Sequence, residues 1–194
     1  NSEHLAVNKI VPPLSTISLT ALTTDGAKVI LLLLIFINNV RRYVEKMIRR
    51  IESADRADYI KFAKEFYTSD AVTHDVPEEY LTLTFETLVE GNPFSDGYMI
   101  ESDGENVGYA LVAKTFSQEA GGMVAWFEEL YLSEKARGKG LGTLALMYLE
   151  GKYVSEGYKR IRLEYTAENE RAAKLYRHLG FKTLDYLQML KDFK

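Results

Sequence analysis

The hexapeptide Arg137-Gly138-Lys139-Gly140-Leu141-Gly142 holds the strongest chemical signal in the sequence. The run before it, Ala125-Trp126-Phe127-Glu128-Glu129-Leu130-Tyr131-Leu132, is aromatic and alternating and predicts a strand. After it, Leu144, Met147, Tyr148 and Gly151 fall three or four apart, as one face of a helix does. A strand, a short polar turn and glycines that open a helix present several backbone N–H groups to an anion. Glycine lets the backbone approach closely, and the helix N-terminus adds unpaired donors and the positive end of a dipole. The ligand this favours is a phosphate or pyrophosphate.

Three phosphate-binding patterns compete for these residues. The P-loop, G-x-x-x-x-G-K-[ST], matches nowhere. The dinucleotide fingerprint is nearer, with Gly140, Gly142 and Ala145 giving G-x-G-x-x-A and Glu164 about twenty residues on. In that fingerprint the strand runs almost directly into the first glycine, whereas here Ser133-Glu134-Lys135-Ala136-Arg137 intervene. Too little chain follows, moreover, to finish a doubly wound sheet. The third pattern, [QR]-x-x-G-x-[GA], is met by Arg137, Gly140 and Gly142. A glycine-rich turn with no ligand is the bland alternative to all three.

The surrounding chain bounds the class of protein. Its 194 residues suffice for one ordinary domain with a real core and an appendage. A net charge of −4 argues against a nucleic-acid binder. The chain has no cysteine, which excludes disulfides and thiolate metal sites. Its three histidines, His4, His74 and His178, lack metal-motif spacing, so no metal is expected.

Residues 1–46 read as an N-terminal extension and 47–194 as the domain. The extension is Ser/Thr-rich to about Thr24 and then carries nine apolar residues, Val29 to Ile37. Nine are too few to span a bilayer, which takes about twenty in a helix, and the flanks do not suit a signal peptide. A cytoplasmic protein without a membrane segment is the expectation. The apolar run is then either packed on the domain or a partner, or is sequence that is not native. In favour of the latter, Arg41-Arg42 could be a translated ribosome-binding site a few codons before Met47.

From Met47 the predicted order is β-α-α-β-β-β-α-β-α-β-β, a mixed α/β sheet. Ile48 to Glu52 is a short strand, and Ser53 is the expected cap of a helix to Tyr67. A loop over 69–76 leads to a second helix from Pro77 to about Glu90. Gly97 to Ser102 and Val107 to Phe116 form a hairpin around Asp103-Gly104-Glu105-Asn106. Past the glycine loop and its helix, Lys159 to Tyr165 alternates as a strand. Ala167 to Glu170 then starts a helix ended by Gly180, and Phe181 to Leu184 and Tyr186 to Leu190 read as a final strand pair.

Within that last helical region, Asn169 to Phe181 runs N-E-R-A-A-K-L-Y-R-H-L-G-F. It resembles motif B of the GNAT superfamily of N-acetyltransferases, N-x-x-A-x-x-x-Y-x-x-x-G-F, at Asn169, Ala172, Tyr176, Gly180 and Phe181. The glycine loop resembles the same superfamily's motif A. Together the motifs sit at family spacing within 47–194. The resemblance implies a mostly antiparallel mixed sheet, splayed near its middle and flanked by about four helices, that often dimerises. It also implies acetyl-CoA as co-substrate, held by Leu130, Leu132, Arg137, Gly138, Lys139, Gly140, Leu141, Gly142, Thr143, Asn169 and Tyr176. A catalytically silent acyl-CoA-binding sensor is the alternative from another class, and a dinucleotide-binding protein the remoter one.

The implied reaction is direct attack by a primary amine, either a small or polyamine-like molecule or a protein N-terminus or lysine. A lysine-like amine has a pKa of about 10.4, so losing its proton at pH 7 costs about 4 to 5 kcal/mol. A carboxylate can accept that proton, and Glu128, Glu129 and Glu164 are candidates. Strand alternation puts Trp126, Glu128, Leu130 and Leu132 on one face, opposite Phe127, Glu129 and Tyr131. Glu128-Glu129-Leu130-Tyr131-Leu132 resembles the polyamine acetyltransferases, where the first carboxylate faces the substrate. Glu164 stands where ribosomal-protein N-terminal acetyltransferases keep their base. By the same resemblance a backbone N–H near Leu132 stabilises the oxyanion. Tyr176, with a pKa of about 10, is matched to protonate a departing thiolate. Asn169 also suits a plain helix cap.

Overall fold

The computed structural model describes residues 24–69, 72 and 76–193. His4, His74, most of the predicted loop over 69–76 and the Ser/Thr-rich stretch before Thr24 lie outside the described residues. Helix α1 (Thr24–Met47) leads into β1 (Ile48–Arg50). Then come α2 (Arg56–Tyr67), α3 (Glu78–Glu90), β2 (Ser95–Ser102), β3 (Glu105–Ser117) and β4 (Gly122–Leu132). The glycine loop leads to α4 (Leu141–Ser155), followed by β5 (Arg160–Leu163) and α5 (Glu170–His178).

The five strands form one open sheet in the order β1-β2-β3-β4-β5. Every pair is antiparallel except β4 with β5, so the sheet is mixed and not doubly wound. That excludes the dinucleotide-binding architecture. The β2–β3 hairpin turns on Asp103 and Gly104, whose φ values of 55° and 81° suit a tight turn that follows the twist of the strands.

Two cores lie against the sheet. On one face Leu141, Ala145, Leu146, Leu149 and Tyr153 of α4 pack over Ala125 and Phe127 of β4. On the other, Tyr59, Phe62 and Ala63 of α2 join Leu81, Phe85 and Leu88 of α3 over Met99, Tyr109 and Tyr131. Buried Asp96 of β2 ties three further elements together. It receives Arg50 of β1 and Lys114 of β3, each at 2.6 Å, and the Tyr153 hydroxyl of α4 at 2.8 Å. Burial opposes its charge, but these three partners hold its carboxyl below the usual range.

Two expectations need correction. The cap before α2 is not Ser53. Ser53–Asp55 forms a 3-10 turn, and the Asp55 carboxylate receives the Glu52 N–H at 2.8 Å. The Asp55 carboxylate also accepts from Arg49 and Asn106, and it caps no N–H of α2. Residues 181–193 form no strand pair. They run largely exposed, because an apolar pattern makes a strand only where an edge offers a ladder, and β5 is four residues long. Val29 to Ile37 lies within α1, where Val29, Leu31, Leu32, Leu33, Ile35 and Phe36 are exposed, while among the described side chains of that helix Val44 and Met47 reach the core. No helix among the described residues is long and apolar enough to cross a membrane.

Because α1 adds so little to the core, a protein beginning at Met47 should keep its cooperative fold. Losing the half-buried Val44 should cost about 1 kcal/mol and lower the Tm by about 2–4 °C. Collapse of the thermal transition on truncation would show that α1 packs more intimately than this.

Candidate active site

The site is organised by one extra residue in β4. Leu111 of β3 pairs with Glu129 and Val112 with Phe127, leaving Glu128 with no partner opposite it. Such a bulge bends its strand and exchanges the faces beyond it. Ala125 and Phe127 belong to the core under α4, and past the bulge Leu130 and Leu132 pack there instead. The simple alternation that groups Trp126 with Leu130 and Leu132 is therefore broken. Trp126 shares its face with Glu129 and Tyr131.

Beyond the bulge, β4 has no neighbour on its outer side among the described residues. β5 pairs only with Val124 to Phe127. The Ser133 N–H points to β3, where it donates to the Val107 carbonyl at 2.8 Å. N–H directions alternate along a strand, so those of Leu130 and Leu132 point the other way, into the gap. The Leu132 carbonyl faces the same side and accepts from Arg137 Nε at 2.9 Å.

The glycine loop continues from this open edge. A 3-10 turn at Glu134–Ala136 seats Ala136 in the core. Gly138 and Gly140 then adopt φ values of 80° and 79°, which side-chain-bearing residues seldom reach. Gly140 caps α4 with no side-chain bond, and its carbonyl accepts only from Leu144, at 3.0 Å. The first N–H groups of α4, at Leu141, Gly142 and Thr143, thus have no cap. A Cβ at Gly142 would touch nothing but Leu132 Cδ1, at 3.6 Å, so the approach is open. The first turns of α2, α3 and α5 carry acidic residues, and that of α4 carries none. With Lys139 and Arg137 exposed beside it, the loop fits a pyrophosphate.

The carboxylates differ in setting. Glu128 is exposed at the bulge, yet partial burial and the charges of Glu129 and Glu164 raise its pKa. Glu129 is buried and receives two hydroxyls, Tyr67 at 2.6 Å and Tyr109 on its other oxygen. Burial lifts its pKa, and the two tyrosine bonds pull it only partly back. Glu164 lies just past β5, where Gln188 donates to it. Glu164 and Tyr176 line a common recess of about 1110 Å³ along the free edge of β5. The Tyr176 ring packs near Tyr165 and Phe181, its hydroxyl bonds no described residue, and burial raises its pKa. Asn169 caps α5, accepting the Ala172 N–H at 3.1 Å. Glu128 is not part of that recess; what links it to Glu164 is their mutual repulsion.

The bulge and the Glu129–Tyr67–Tyr109 cluster were missed in the sequence. The doubled Glu128-Glu129, a polar pair in an otherwise apolar strand, is the one feature that marks the place.

Comparison with known proteins gives the family and the fold. A sequence profile of the Acetyltransferase (GNAT) family matches residues 57–181. The uncharacterized N-acetyltransferase YjgM of Escherichia coli is 38% identical over 90 residues, 46% of this chain and 52% of that protein, so the match spans about half its length. The thialysine N-epsilon-acetyltransferase of Mus musculus is 27% identical over 145 residues, 71% of this chain and 84% of that one. Among solved structures, an integron cassette protein from the Cole Harbour salt marsh metagenome superimposes with a TM-score of 0.65 at 22% identity, covering 78% of this chain and 93% of its own. The aminoglycoside acetyltransferase AAC(6')-Iy, solved with a CoA bisubstrate analog, gives 0.62 at 14% identity over 76% and 97%. These two show the shared fold.

Glu129 makes a pH signature. Its folded pKa lies above the ordinary 4.5, so the folded state binds the extra proton and the stability it contributes is lost as pH rises through the folded pKa. Glu129→Gln removes that titration. The Tm of the variant minus that of the wild type should therefore grow as pH rises from about 4.5. A difference that stays flat or shrinks would contradict the raised pKa.

Proposed function

The chain belongs to the GNAT family of acetyltransferases, and on that premise we propose that it is an acetyl-CoA-dependent N-acetyltransferase acting on a primary amine. The observation that carries the proposal is the open edge of β4. The gap beyond Glu128 runs straight into the uncapped N–H groups of α4, so one elongated ligand can meet both. Acetyl-CoA supplies an acyl group already activated as a thioester. The loop from Arg137 to Thr143 holds its pyrophosphate, and the free N–H groups of Leu130 and Leu132 meet the arm and the acyl oxygen.

Glu128 receives the proton of the attacking amine. A raised pKa makes it a stronger proton acceptor than an ordinary surface carboxylate. Glu164, beside Tyr176 in the recess, is the second candidate for that role. Tyr176 gives a proton to the leaving thiolate. Its raised pKa keeps the hydroxyl protonated, and the lack of a hydroxyl partner among the described residues leaves it available. As for the acceptor, the mouse relative is named for the Nε of thialysine and a fold neighbour for aminoglycosides. Both names point to amines.

Thiol release from acetyl-CoA across a panel of amines tests the proposal. Binding of CoA without release would indicate an acyl-CoA sensor instead. Tyr176→Phe removes the hydroxyl and keeps the ring, so kcat should fall about 10²-fold or more with acetyl-CoA affinity nearly unchanged. An equally active variant would reduce Tyr176 to packing.

A further inference from the structure

The recess along β5 contains a charge that the reaction above does not use. Arg162 pairs in register with Trp126 of β4, and its guanidinium lies 5.1 Å over the indole ring. It has no ion pair among the described residues, unlike Arg160 two residues earlier on the same strand. Arg160 is matched by Glu119 at 3.1 Å. A half-buried guanidinium stacked on an aromatic ring is held in one orientation. Its edge then offers a planar fork of N–H donors suited to a carboxylate.

Glu164 follows two residues later, so the two side chains leave the same face of the chain about 6.6 Å apart. A cation and a carboxylate at that spacing complement a small molecule bearing both charges. The rest of the recess bears on the choice of substrate. Five cationic side chains line it against three carboxylates, an excess that repels a polyamine and attracts an acidic group.

We infer that the acceptor is an amino-acid-like amine whose own carboxylate is read by Arg162 while its amino group lies at the carboxylate end of the recess. This deepens the acetyltransferase reading and rests on it. Arg162 is then a specificity-determining contact, and Trp126 the platform that orients it. Charge is matched at both ends: the guanidinium takes the carboxylate, and Glu164, with Glu128 beyond it, faces the ammonium before it loses its proton. A diamine of the same length would leave Arg162 unpaired and set a second cation against it.

The test uses the whole chain, acetyl-CoA and matched acceptors. Ornithine, lysine and thialysine are compared with the diamines that lack only the carboxylate: putrescine, cadaverine and decarboxylated thialysine. The amino acids should have kcat/KM at least about tenfold higher, as expected for a charge-assisted contact. Arg162→Gln should erase that preference through KM, which rises for the amino acids and falls for the diamines as the repelling charge is removed, with kcat little changed. Arg162→Lys, which keeps the charge but not the fork, should restore part of it. Equal rates for the two sets, or an Arg162→Gln variant that loses both alike, would overturn the inference and make the Arg162–Trp126 pair structural. Turnover of other amines with neither set would overturn it too, while leaving the acetyltransferase standing. No thiol release with any amine would bring down the acetyltransferase reading itself.

Discussion

A β-ladder cannot absorb an extra residue without losing pairing somewhere. In this chain the extra residue is Glu128, and most of the site follows from it. The bulge exchanges the faces of β4, so Phe127 and Leu130 can both serve the core under α4. It also bends the strand, and β5 accompanies β4 only as far as Phe127. The remaining backbone groups of β4 then face a gap where an ordinary sheet would have a neighbour. Unpaired strand edges are usually covered or charged to prevent aggregation. Here the gap ends at a glycine loop with uncapped helix donors, and in the function proposed above an anionic, extended ligand satisfies both sets.

The same bulge places two carboxylates side by side in different surroundings. Glu129 turns inward to Tyr67 and Tyr109, and Glu128 stays at the surface of the gap. The charge of Glu129 makes Glu128 harder to ionise. Burying a carboxylate is unfavourable, and the two phenol donors offset that only in part. The return on this arrangement is a neighbouring Glu128 whose proton affinity is raised without being shut away from substrate. Tyr67 is the last residue of α2, so the cluster also fixes where that helix ends beside the site.

The glycine loop and the motif around α5 could be read from the sequence because their residues report backbone conformation directly. Gly138, Gly140 and Gly180 stand at positive φ, and Asn169 is a cap. The strand order through β5 was readable from alternation and turn residues. The bulge was not, since Trp126-Phe127-Glu128-Glu129-Leu130 satisfies a regular alternation as well as a broken one. Nor does a sequence show whether an apolar stretch will find a partner: Tyr186 to Leu190 has the composition of a strand yet does not pair with the free edge of β5. The Arg162–Trp126 stack was hidden because it depends on the register of two strands far apart in the chain.

The central claim is that the gap opened at Glu128 and the glycine loop form one continuous site for acetyl-CoA. Amide hydrogen exchange with and without acetyl-CoA tests it residue by residue. The account predicts slowed exchange at Leu130, Leu132 and Leu141 to Thr143 together, with β2 and α3 unchanged. Protection of the loop alone, or of neither region at saturating ligand, would contradict it.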